Sequence, residues 1–258
     1  MSGNPWSEII LKDDEISAHR IGPLTVYLKK VLNELWIGSA RDDKNDGDPL
    51  PLPEKPDWNR LALPEEFSTF SLTPVFPDRP VVADSEFHYR ILKNSGARIY
   101  TRIPAFVRIV PADKPDLVLA EIPTVILSET WFGIFTEGEL SYALSTTARR
   151  KLVQEMYEPH MVICPVQIEN KSDEDLRFEK LCLRVERLSV YINDGVLWAD
   201  ETSVMYNGRE INSDVKTTGT IPPEAGGGAI ITSPRETVKS TVATRTFKLL
   251  KELHFPGF

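Results

Sequence analysis

The sequence predicts a mostly β protein: two antiparallel β-sandwich-like domains, residues 1–152 and 153–258, with a short C-terminal helix. Three observations carry this expectation. Apolar and polar residues alternate in short runs, as at 24–29 and 162–168. Strong turn texts punctuate the runs, above all Asn193-Asp194-Gly195 and Asn207-Gly208. Helical spacing is confined to two short stretches, 148–159 and 244–254.

Taken in order, Ile9-Ile10-Leu11 reads as a first strand. Residues 21–40 read as a hairpin turning near Asn33-Glu34, with Leu24, Val26 and Leu28 on one face. A helix over 24–36 is the alternative, disfavoured by Val, Thr, Tyr and Ile, which suit strands. Residues 42–56 form an acidic connector with Gly47 and four prolines. It fails as a calcium loop: aligning Gly47 with the loop's invariant glycine puts Lys44 and Pro53 where oxygen ligands are needed. Pro74, Pro77 and Pro80 mark residues 72–82 as extended chain or a sheet edge, because each removes a ladder donor.

Strands are expected over 87–92, 97–109 (broken or bulged at Pro104) and 117–127. The most distinctive text follows, LSETWFGIFTEGELSYAL over 127–144, read as two strands joined across residues 135–138. Residues 148–159 lose the two-residue alternation and read as an inter-domain connection with one short helix. In the second half, apolar phase changes within 178–192: Leu181, Leu183 and Val185 share one parity, Leu188, Val190 and Ile192 the other. One face cannot stay buried through that slip, so a bulge or sheet-crossing corner is expected at Glu186-Arg187. Residues 196–206 form a strand containing Trp198, and 222–228 a glycine-rich loop without the Lys-Ser or Lys-Thr of a phosphate cradle.

Composition bounds the function classes. The 258 residues, 41% hydrophobic and 26% charged, suit a soluble globular protein with a core of its own. The net charge of −8 repels phosphate backbones, so no nucleic-acid partner is expected. No stretch reaches the length of a transmembrane helix and the N-terminus lacks a secretion signal, which reads as cytoplasmic. Cys164 and Cys182 are expected as unpaired thiols, the first on an apolar face and the second on a polar one.

No cofactor fingerprint is present and no metal site is expected. The histidines 19, 88, 160 and 254 are scattered, and His160 and Cys164, four apart on a strand, stand about 13 Å apart, too far for one metal. No Gly-x-Ser-x-Gly occurs. The best constellation is the central one. Glu137 and Glu139 are the candidate catalytic pair, and Trp131, Glu129 and Tyr142 the candidate ligand-binding residues, a grouping suited to sugar binding or glycoside hydrolysis. The plainer reading makes Trp131 and Tyr142 core residues, Trp131 mostly buried, and the glutamates a solvated hairpin tip. Arg98, Arg102 and Arg108 form either an anion-binding face or ordinary strand polarity.

Several local texts resemble an uncharacterised, domain-of-unknown-function family of archaea and some bacteria. They are Pro77-Asp78-Arg79-Pro80-Val81, Glu121-Ile122-Pro123-Thr124, Thr130-Trp131-Phe132-Gly133 with Gly138-Glu139-Leu140-x-Tyr142, and the later 181–186 and Leu197-Trp198. The likeness spans about 21–253. Where that family carries a cysteine before the tyrosine, this chain has Ser141, which argues against a catalytic or metal role there. The family implies no activity, and its relatives' proximity to mechanosensitive channels makes a membrane-channel partner conceivable. The function expected from all this is a non-enzymatic binding or assembly module with a protein partner or self-association; a carbohydrate-active hydrolase is the alternative.

Overall fold

The computed structural model describes residues 4–42, 47–145, 148–208, 213–236, 242–244 and 246–249. The chain is built of strands: β1 (Glu8–Ile10), β2 (Ile16–Ile21), β3 (Leu24–Val31), β4 (Glu34–Arg41), β5 (Asn59–Ala62), β6 (Thr69–Val75) and β7 (Val81–Ile91) lead off. Next come β8 (Ser95–Pro104), β9 (Phe106–Pro111), β10 (Ala120–Pro123), β11 (Ser128–Ile134), β12 (Glu137–Leu144) and β13 (Met161–Asn170). The remainder are β14 (Leu176–Leu183), β15 (Val190–Asn193), β16 (Val196–Ala199), β17 (Thr202–Tyr206), β18 (Ser213–Thr217), β19 (Ala229–Thr232), β20 (Val242–Thr244) and β21 (Phe247–Leu249). Among the described residues only single 3-10 turns interrupt them, and no helix is long and apolar enough to cross a membrane.

Local chemistry accounts for the hairpins. Asp194 and Gly195 both take positive φ between Asn193 and Val196, the geometry a two-residue turn demands. The expected hairpin over 21–40 is β3 and β4, paired from Leu24↔Arg41 to Val31↔Glu34. With β2 and β5 it makes a four-stranded antiparallel meander. A second sheet runs β1-β6-β9-β10, in which Pro74 lies beyond the β1 ladder and opposite Val107. A third runs β11-β12-β7-β14-β21, and a fourth β19-β15-β16-β13-β17-β18-β20 with β8 against β13. The pairings β12·β7, β13·β16 and β13·β17 are parallel, because those strands meet through long crossovers rather than tight turns.

The phase slip at Glu186-Arg187 is a corner between sheets. β14 ends at Leu183 in the third sheet, a 3-10 turn occupies Val185–Arg187, and β15 begins in the fourth. The run expected as one strand over 196–206 is two, because its register against β13 advances by one residue between Trp198 and Thr202. Buried Asp200 sits in that interruption and accepts the Ser189 amide at 2.7 Å.

Strands from both sides of residue 152 share sheets: β8 pairs β13 over ten residues, and β7 pairs β14. One apolar core accordingly gathers Phe70, Ile99 and Val107 with Val166, Leu183 and Leu197. Cys164 and Cys182 are both free and buried. Cys182 corrects the expected polar facing. Its face of β14 is covered, and it packs with Val82 and Phe132 in a small cluster of its own. At the C-terminus Phe247–Leu249 is a strand against β14, where the sequence suggests helix; residues 250–258 of that expected helix lie outside the described residues.

Candidate functional site

The distinctive text forms a two-stranded ribbon at the margin of the third sheet. β11 and β12 pair from Ser128↔Ala143 to Ile134↔Glu137, leaving Phe135-Thr136 as the turn. Gly133 has φ +122°, and a Cβ there would fall 2.6 Å from the Gly138 Cα. The two glycines let the strands close at the tip.

Direct pairing puts opposed residues on one face of a ribbon. Glu129 opposes Tyr142 and Trp131 opposes Leu140, so the three candidate ligand-binding residues share a face. Glu139 opposes Phe132, and Glu137 opposes Ile134, on the other face. The catalytic candidates thus stand back to back with the aromatic platform. Glu139 is engaged by Arg184.

Trp131 is not the buried residue the sequence suggests. It is 53% exposed, and its neighbour Phe132, at 6%, supplies the anchor. The physical reason is position along the ribbon as well as parity. Phe132 shares one sheet face with Val82 and Cys182, whereas Trp131 lies on the opposite face. There Tyr142, nearer the base, packs against the core, and Trp131 stands out toward the exposed tip. Phe135 at the tip is 94% exposed, with Ile134 and Leu140 also exposed. Trp131 keeps one internal contact, donating from Nε1 to the Ile134 carbonyl at 3.1 Å.

The residues before β7 join Glu129 and Tyr142 on the Trp131 side of the ribbon. Arg79 pairs with Glu129 at 2.6 Å and lies 5.5 Å from the Tyr142 ring centre. Tyr142 donates to Asp78 at 2.9 Å, and Asp78 stands 3.8 Å from Arg79. The hydrogen bond to Glu129 raises the Arg79 pKa. Desolvation, with the bond to Asp78, raises that of Tyr142. Residue-by-residue reasoning missed Asp78 and Arg79 as members of the site; their signal was the Pro-Asp-Arg-Pro text. Their joining to Glu129 and Tyr142 depends on the parallel β12·β7 pairing, which no local pattern encodes.

The three arginines form no open anion face. Arg98 engages Glu201 and Glu224, Arg102 donates to Glu158 at 2.7 Å, and Arg108 donates to Glu121 at 2.8 Å. A cleft of about 450 Å³ lies between Asn4-Pro5, Tyr157–Pro159 and Asp194–Val196, and shares no residue with the hairpin. Among the described residues no three His, Cys, Asp or Glu side chains gather as a metal site would require.

The family described as proteins of unknown function (DUF432) matches residues 5–251. The chain belongs to that family. No curated protein and no solved structure matches it. Membership of DUF432 accords with the resemblance carried by the Trp-Phe-Gly and Gly-Glu-Leu texts, and the family's description assigns no activity.

Proposed function

We propose that this protein is a non-enzymatic binding or assembly module whose recognition element is the β11–β12 hairpin. The observation that carries the reading is the exposure of Trp131, Ile134, Phe135 and Leu140 around the tip of a ribbon at a sheet margin. Trp131 and Leu140 are on one face, Ile134 on the other and Phe135 at the turn. A solvated hairpin tip is ordinarily polar. Contiguous apolar side chains there are costly in water and favour burial against another surface. The ribbon is held firmly enough to present them, by the Phe132 anchor and by the Asp78-Arg79-Glu129-Tyr142 contacts.

The placement of Glu137 and Glu139 supports binding over hydrolysis. A glycosidase needs two carboxyl groups flanking one bond of a sugar that rests on its platform. Here the glutamates and the indole point from opposite faces of the ribbon. The partner is a protein, and a membrane channel is the class that the family resemblance makes conceivable.

Capture from native extract tests the reading, comparing wild type with Trp131→Ala/Phe135→Ser. The expected outcome is a bound protein lost in the variant while the fold is retained. Glycoside turnover that disappears in Glu137→Gln or Glu139→Gln, with the fold intact, would overturn it.

A further inference from the structure

We propose that β11 pairs antiparallel with β11 of a second copy of this chain, about a two-fold axis at Trp131. The proposal rests on the reading of the hairpin as the recognition element, and adds the occupant and the register.

The backbone supplies the first argument. Among the described residues β11 ends its sheet, with β12 on one side only. The Tyr142 amide donates to the Pro80 carbonyl at 2.8 Å, toward the β7 side, so Tyr142 and its partner Glu129 turn their backbone groups away from each other. By the alternation of an antiparallel ladder, Glu129 and Trp131 therefore present N–H and C=O to the free edge. Such an edge is a template for another strand.

The side chains select a second copy as that strand. Centred on Trp131, the pairing sets Trp131 against Trp131 of the other copy and Glu129 against Gly133, so no like charges oppose across the interface. Glu129 is already neutralised by Arg79. The apolar strip of one copy, Leu140 beside Trp131, then continues into the same strip of the other. Beyond the ends of the strand, the same register brings Phe135 to the chain at Ile126-Leu127 of the other copy. That sets Phe135 opposite Leu127 and one position from Ile126. Phe135 and Ile126 are 94% and 72% exposed, so two strongly exposed apolar residues stand at neighbouring positions across the contact. A two-fold contact of this kind is isologous and closes at two copies.

The test is sedimentation equilibrium of the full chain across the micromolar range, together with residue-resolved amide exchange. The expected result is a mass rising toward twice 29.1 kDa, with the Trp131 amide protected. Trp131→Lys and Phe135→Lys are expected to weaken association by at least ~10-fold at unchanged circular dichroism, since each buries a charge at the contact. Leu32→Lys, at another exposed apolar turn residue, is expected to leave it unchanged. A wild-type monomer overturns the proposal, as does a dimer whose Trp131 amide exchanges freely or that survives both lysines. If the lysine variants fail to fold, exchange in the wild type still decides. A monomer whose hairpin variants still lose a captured protein would overturn the pairing and leave the binding-module reading intact.

Discussion

The Trp131 indole lies across Gly138. A Cβ at Gly138 would fall 2.2 Å from the indole Nε1 and 2.9 Å from the Ile134 carbonyl that the same nitrogen reaches. This ties the aromatic residue of one motif to the glycine of the other, and explains the two as one unit of shape. Gly138→Ala should displace the indole and cost about 1–3 kcal/mol, the usual scale of overpacking. Urea unfolding gives the magnitude, and a change in tryptophan emission shows whether the indole has moved.

Phe132 and Trp131 should separate cleanly in a stability assay. Phe132→Ala empties a site packed by Val82 and Cys182, and should cost about 3–5 kcal/mol. Trp131→Ala removes a side chain more than half exposed, and should cost roughly 1–2 kcal/mol. Equal losses in denaturant titrations would contradict this division of roles.

Stability should fall as pH rises from about 4.5 to about 7. Burial at the sheet-crossing corner pushes the Glu186 carboxyl up to about 7, from an ordinary 4.5, and burial likewise raises Asp200 from 3.8 to about 6. Between the ordinary and the raised values the folded protein holds protons that the unfolded chain has released. Stability from these groups is therefore full below the lower value and lost as pH passes the upper one. Glu186→Gln should flatten the upper part of the slope, read from Tm against pH.

Neither native thiol should react at neutral pH. Cys164 and Cys182 are buried, and desolvation raises both, Cys182 to about 12. Thiol reagents depend on thiolate and access. Titration should give no reaction in buffer and two equivalents in denaturant.

The boundary at 152 is best tested by cutting there. The β8·β13 ladder and the β7·β14 pairing both cross it, and removing either half would strip partners from strands that face the core. Residues 1–152 and 153–258, expressed separately, should remain unfolded, and the whole chain should unfold in one transition. Two independent transitions would instead mark two autonomous domains.

By itself the sequence determined several buried strand faces, the Asp194-Gly195 turn and the corner. Alternation at Val162, Cys164, Val166 and Ile168 marks a buried strand face, since side-chain direction has a period of two whatever the strand pairs with. The Asp194-Gly195 turn follows from the positive φ those two positions need. The phase change at Glu186-Arg187 announced a passage between sheets because one strand cannot bury both parities against one core. Tertiary structure alone decided which strands became neighbours. Parallel contacts such as β12·β7 join residues far apart in the chain and leave no local trace, yet this one brings Phe132 to Val82 and Arg79 to Glu129. Burial of Cys182 was hidden for the same reason: polar neighbours in the strand suggested solvent, and its packing with Val82 of the neighbouring strand and with Phe132 depends on which strands became neighbours.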